Sequence, residues 1–230
     1  ALFACAAVAA VALIETTPRT AAAVNLAETA QRLNSLLLWR EPPIRALLVY
    51  HLFYTLGLNA CYEFYPVWLV ESFGSDSRQI GVLTVYMTGA MVVTGVFGVT
   101  RLRERIDALT VVRGSAAAFA VMLFMLVRAP ASLVPLLFAG LGAMIALNNS
   151  SFPDYMTERF AAAGTGRVVG LISTNFYGAN VVIAIVGSTL ALLGSAWSLL
   201  LGAALCGLAV AWLQYVAPPL LPVRRLPTRL

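Results

Sequence analysis

The chain has 230 residues, fifteen basic against ten acidic residues and a net charge of +5, yet only 11% of it is charged. With 60% hydrophobic residues and a mean hydropathy of +0.86, it is neither an ordinary soluble domain nor a disordered chain. All fifteen basic residues are arginines, so phosphate-loop lysines and lysine Schiff bases are excluded. The basic balance fits loops beside anionic membrane lipid and implies no nucleic-acid partner.

Ala1 to Ile14 is an apolar run with no initiating Met and no basic flank. It reads as the end of a truncated membrane span, because a cleaved signal would leave the following arginines on the outer side. Residues 15–45 are expected to be a cytoplasmic connector, flexible at first. Leu33, Leu36, Leu37, Leu38 and Trp39 are then spaced for a short helix in the membrane surface, with Arg40 at headgroup level. Glu41-Pro42-Pro43 stops that helix and the chain enters the membrane.

Six stretches follow, each near the roughly 20 residues that cross about 30 Å of hydrocarbon. They are Ala46 to Val70, Ile80 to Thr100, Ala108 to Val127, Leu133 to Phe152, Val168 to Leu193 and Ser198 to Val216. Residues 46–216 are thus expected to form an all-α bundle of six complete transmembrane helices, and residues 217–230 a tail. Twelve of the fifteen arginines occupy alternate gaps: Arg19, Arg32, Arg40 and Arg45, then Arg101, Arg103 and Arg105, then Arg159 and Arg167, then Arg224, Arg225 and Arg229. Arg78 and Arg128 lie on the other side, and Arg113 sits one turn inside its span, from where it can snorkel. The rich side is read as cytoplasmic, which makes this a multi-pass protein of the inner or plasma membrane with its C-terminus inside.

Nine of the ten acids lie in loops or at span edges, and Glu63 alone is embedded. It sits roughly 10 Å below the outer end of its span by helix rise. A carboxylate there costs about 1–3 kcal/mol unless it faces a cavity or a partner, or is protonated. His51, Thr55, Asn59, Tyr62, Glu63 and Pro66 share one helical sector of about 120°, a wet side on an otherwise apolar helix. One reading is a substrate or proton pathway with Glu63 as the protonatable group; the other is an interhelical hydrogen bond close enough to the surface to reach water. His51 is the sole histidine, so no metal cluster is expected, and its simplest use is a bond to a neighbouring helix.

On the fifth span Gly166, Gly170, Ser173, Tyr177, Asn180, Ala184 and Gly187 share one side. Small residues there would admit another helix, with Tyr177 and Asn180 projecting inward and Asn180 a candidate solute contact. Asn148, Asn149, Ser150 and Ser151, followed by Pro153 and Asp154, are expected to end the fourth helix, with Asn148 deep enough to face the pathway. Cys5, Cys61 and Cys206 form no Cys-x-x-Cys pair and read as small core residues. No cofactor motif is present: the glycines of 164–170 have the wrong spacing for a dinucleotide loop, and no Gly-x-Ser-x-Gly elbow accompanies His51. The chain is not expected to be an enzyme.

Tyr65-Pro-Val-Trp-Leu-Val70, Asp76-Ser-Arg-Gln-Ile-Gly81 and Gly95-Val-Phe-Gly98-Val-Thr-Arg101-Leu-Arg103-Glu-Arg105 together resemble the C-terminal half of a major facilitator superfamily transporter. The last resembles that family's second, weaker loop motif, in which Gly95, Gly98, Arg101, Arg103 and Arg105 would join two spans. Gly164-Thr-Gly-Arg-Val-Val-Gly170 resembles the loop that opens the eleventh span. The acidic residue usual before the motif's arginine is absent before Arg101, so the gating ion pair assigned to it is not expected here. The resemblance implies half of a twelve-helix bundle that moves a small solute by alternating access, in efflux or uptake, with a missing N-terminal six-helix half as partner, and coupling to protons would suit the lone embedded Glu63. A sensor or scaffold of the same fold remains the alternative.

Overall fold

Residues 35–192 and 194–215 are described by a computed structural model, and among them six helices are long and apolar enough to cross a membrane. The truncated span expected at 1–14, the connector as far as residue 34 and the tail from residue 216 lie outside the described residues. No strand occurs among the described residues.

Helix α1, Pro42–Phe73, starts where Glu41 is still extended and two prolines fill the first turn, which needs no N–H donors. It closes at Gly74, whose φ of 62° lets its N–H reach back to the Val70 carbonyl at 2.9 Å. Helix α2, Ser77–Arg103, opens on a capping box: Asp76 Oδ1 accepts from the Gln79 N–H at 2.7 Å, and Gln79 Oε1 accepts from the Asp76 N–H at 3.2 Å. A π-helical turn, Thr94–Gly98, interrupts it. Helix α3, Ala108–Leu126, is capped by the Asp107 carboxylate, which accepts from the Leu109 and Thr110 N–H groups. Helices α4, α5 and α6 span Val134–Arg159, Thr165–Leu192 and Ser195–Tyr215.

The helices fall on the expected spans, and the largest departure is in α4. Asn148 to Ser151 do not end it; the helix runs through Pro153 to Arg159. Pro153 removes one intrahelical bond, but the extension is held from outside. Met156 is fully buried, and Asp154 and Glu158 are both held by Arg103. The segment before α1 is a 3-10 helix, Ser35–Arg40, that buries Leu38 and packs Trp39 against the core.

The chief helix contacts run in the order α2, α4, α3, α6, α1, α5, so α1 lies between α6 and α5, and α4 between α2 and α3. Aromatic side chains bridge α1 and α4 across the bundle. Tyr50 and His51 lie against Phe152, and Tyr65 against Phe138. Two glycines set the closest approaches. A Cβ on Gly57 would fall 2.5 Å from the Gly202 carbonyl oxygen and from Cys206 Sγ, and one on Gly142 only 2.0 Å from the Met87 carbonyl oxygen. Close approach thus occurs at α1–α6 and α2–α4, where backbones meet without side chains between them. The small-residue side of α5 does not play this part. Gly166, Gly170 and Ala184 are exposed, and α5 turns Val168, Leu171, Asn175, Ala179 and Ile183 inward instead. Cys61 and Cys206 are buried free thiols, and Cys5 lies outside the described residues.

Candidate functional site

The polar sector of α1 divides along its length. Its arginine-rich half is covered: His51, Thr55 and Asn59 are buried. Toward the other end Tyr62 and Pro66 are half-buried and Glu63 is exposed. Glu63 makes no hydrogen bond or ion pair among the described residues. Because α1 continues to Phe73, Glu63 lies about 15 Å from the helix end, deeper than the apolar run alone implied. Among the described residues Tyr62 Oη reaches only Met91 Sδ, at 3.9 Å. Asn59 keeps its amide nitrogen buried without a protein partner among the described residues, as do the hydroxyls of Tyr54 and Ser151. Such groups cost about 1–3 kcal/mol each when nothing bonds them.

His51 is fixed by two neighbours. Its ring stacks on Phe152 with centroids 4.7 Å apart, and its Nδ1 lies 2.9 Å from Asn175 Nδ2. The same amide nitrogen donates to the Leu48 carbonyl at 3.1 Å. A carbonyl there demands the nitrogen side of the amide, so Asn175 also donates to His51, and Nδ1 accepts. Sequence reasoning passed over Asn175 because it does not share the glycine-lined side of α5. The signal available was its type, an amide in mid-span that must find partners.

Asn148 does not face a pathway. It is buried, and its amide nitrogen lies 2.7 Å from Tyr50 Oη, 3.0 Å from the Val112 carbonyl oxygen and 3.1 Å from Ser115 Oγ. Tyr50 and Ser115 hydroxyls also donate to that carbonyl. Asn148 is therefore a polar joint of α1, α3 and α4. On α5, Tyr177 is exposed and Asn180 half-buried, and this helix packs beside α1. Glu63, Tyr62, Tyr177 and Asn180 thus lie on two adjacent helices and leave side chains uncovered.

At the arginine-rich end, Gly95 and Gly98 form part of the π-helical turn of α2, and a Cβ on Gly98 would press the Thr94 methyl at 3.1 Å. Arg101 and Arg103 occupy the last turn of α2, and Arg105 follows it. Arg103 bridges to α4, with Nη1 2.5 Å from Asp154 Oδ2 and Nη2 2.7 Å from Glu158 Oε1. An ion pair absent within the motif is therefore made between helices. Arg113 does not simply snorkel; its Nη2 donates to the Leu213 carbonyl in the last turn of α6, the negative end of that helix dipole. At the opposite end Ser195, the first residue of α6, donates its hydroxyl to Glu71.

Six apolar spans, uncovered polar groups on two neighbouring helices and an arginine-lined end define a multi-pass α-helical membrane protein. The profile of the Major Facilitator Superfamily matches residues 1–184, a stretch that ends within α5. The chain belongs to this superfamily, whose members are membrane transporters. Neither the curated proteins nor the solved structures give a match.

Proposed function

We propose that the chain forms the C-terminal half of a twelve-helix secondary active transporter, in which α1 and α5 face a small solute and Glu63 carries the coupling proton. The carrying observation is Glu63 itself, an exposed carboxylate without a protein partner among the described residues, some ten residues inside the end of α1. A group so placed is stable in a span only beside water, a solute or a partner, or as the neutral acid. The buried, unpartnered amide of Asn59 lies one helical turn away on the same side. A second six-helix half is the natural cover for the uncovered side of α5, where Gly166, Gly170 and Ala184 allow another helix close approach. The arginine-rich end is placed in the cytoplasm.

Cysteine accessibility tests this reading without a known solute. Tyr62→Cys and Asn180→Cys are introduced singly into the full-length protein in sealed vesicles of either orientation, and a membrane-impermeant maleimide is added. The native Cys61 and Cys206 are buried and serve as unreactive references. Labelling of the same position from both sides supports alternating access. Protection from both sides replaces transport with a packed sensor or scaffold.

A further inference from the structure

The end of α2 carries a cleft that the transport reading does not use. It has a volume of about 610 Å³ and is lined by Thr94, Gly98, Arg101, Leu102, Glu104, Arg105 and Leu147. That size lies within the roughly 300–1,000 Å³ of small-molecule sites. Arg103 turns away from it to Asp154 and Glu158, whereas Arg101 and Arg105 have no ion pair among the described residues. Two guanidinium groups and the single Glu104 carboxylate give the cleft a net charge of +1. The part of α2 leading into it exposes Val92, Val93, Val96 and Phe97, and Val93, Phe97 and Arg101 follow one another at four-residue steps along the helix.

We propose that this cleft is a headgroup site for a monoanionic glycerophospholipid. Its phosphate is taken by Arg101 and Arg105, which offer the planar donor forks that suit phosphate oxygens. The headgroup hydroxyls meet Thr94 and Glu104, and the acyl chains lie along Val92, Val93, Val96 and Phe97. The π-helical turn shapes the site: its extra residue widens α2 where the cleft forms, and Gly98 contributes no side chain to fill it. One negative charge matches the cleft, and the apolar stripe distinguishes a lipid from a free anion. A covering helix from another half would compete for the same stripe.

Native mass spectrometry of the full-length protein, extracted in mild detergent and offered phosphatidylglycerol, phosphatidylcholine or inorganic phosphate, tests the site. The wild type is expected to retain one phosphatidylglycerol in preference to phosphatidylcholine. Arg101→Gln with Arg105→Gln should lower that retention roughly thirtyfold, about fivefold for each surface arginine. Arg78→Gln, at the opposite end, should leave it unchanged. If the double variant does not fold, Arg105→Gln alone is read, with a fall of about fivefold expected. Equal retention by wild type and variants overturns the proposal, as it would if another half covered the cleft. Displacement of the lipid by inorganic phosphate at equal concentration overturns it in favour of a free-anion site.

Discussion

Adding one methyl group at Gly142 tests the packing of α2 on α4. The new Cβ would lie 2.0 Å from the Met87 carbonyl oxygen, 2.8 Å from its carbonyl carbon and 3.1 Å from its Cα. Ordinary contact begins at 3.4 Å, so the two backbones must part locally by about 1.4 Å. No rotamer can absorb this, because the atoms struck are all main chain. Overpacking costs about 1–3 kcal/mol, and backbone against backbone belongs at the top of that range. Alanine returns about 1 kcal/mol of helix propensity, leaving a net loss of about 2 kcal/mol. For a chain of this length that lowers the unfolding temperature by roughly 4–8 °C. The assay is thermal unfolding in detergent, followed by tryptophan fluorescence. Gly207→Ala on α6 is the control, since a Cβ there meets nothing within 4 Å, and it should be neutral or slightly stabilising. If Gly142→Ala and Gly207→Ala unfold together, the close approach of α2 and α4 is wrong.

Asn148→Leu removes two N–H donors shared among three acceptors and should destabilise by about 1–3 kcal/mol, given roughly 0.6 to 1.7 kcal/mol for each interhelical bond in a membrane. Tyr50→Phe should cost less in the same unfolding assay, and an equal cost would dismiss Asn148 as the centre of the joint. Arg103→Gln and Asp154→Asn form a double-mutant cycle. With side-chain exposures of 31% and 46%, a coupling of at most about 1 kcal/mol is expected, fading in high salt. Glu63→Gln in the full-length protein should abolish or strongly weaken proton-coupled flux in proteoliposomes, and undiminished proton-driven transport would remove Glu63 from the mechanism.

The spans were legible because hydrocarbon thickness fixes helix length and the apolar runs report it. The ends were less so. Hydropathy registers the polar Asn148 to Asp154 run as an exit from the membrane, whereas the helix there continues on contacts made by Met156, Asp154 and Glu158 to other segments. A helical wheel groups residues by angle alone. It gathered the polar residues of α1 into one sector, but it could not show that Asn175 of α5 covers His51 and not Glu63. Glycine spacing failed on α5 for the same reason: close packing depends on two surfaces, and one helix reports only its own. Gly57 and Gly142, neither part of a helical glycine stripe, proved to be the contact points because Gly202 and the Met87 backbone stand opposite them.

These placements sort the embedded polar groups by whether the bundle itself satisfies them, and the sorting bears on the proposed proton coupling. Asn175 presents one amide nitrogen to both Leu48 O and His51 Nδ1, so the ring accepts at Nδ1 and carries its proton on Nε2. A second proton on Nδ1 would set N–H against N–H and break the α1–α5 bond. His51 cannot take up a second proton in this arrangement. Asn148 is likewise engaged by its own neighbours. Glu63 is different, since it has no hydrogen bond or ion pair among the described residues, and α1 holds it some ten residues inside its end. A residue able to couple solute movement to protons must change its surroundings between states, and among these polar groups Glu63 is the ionisable one whose surroundings are not set by the bundle.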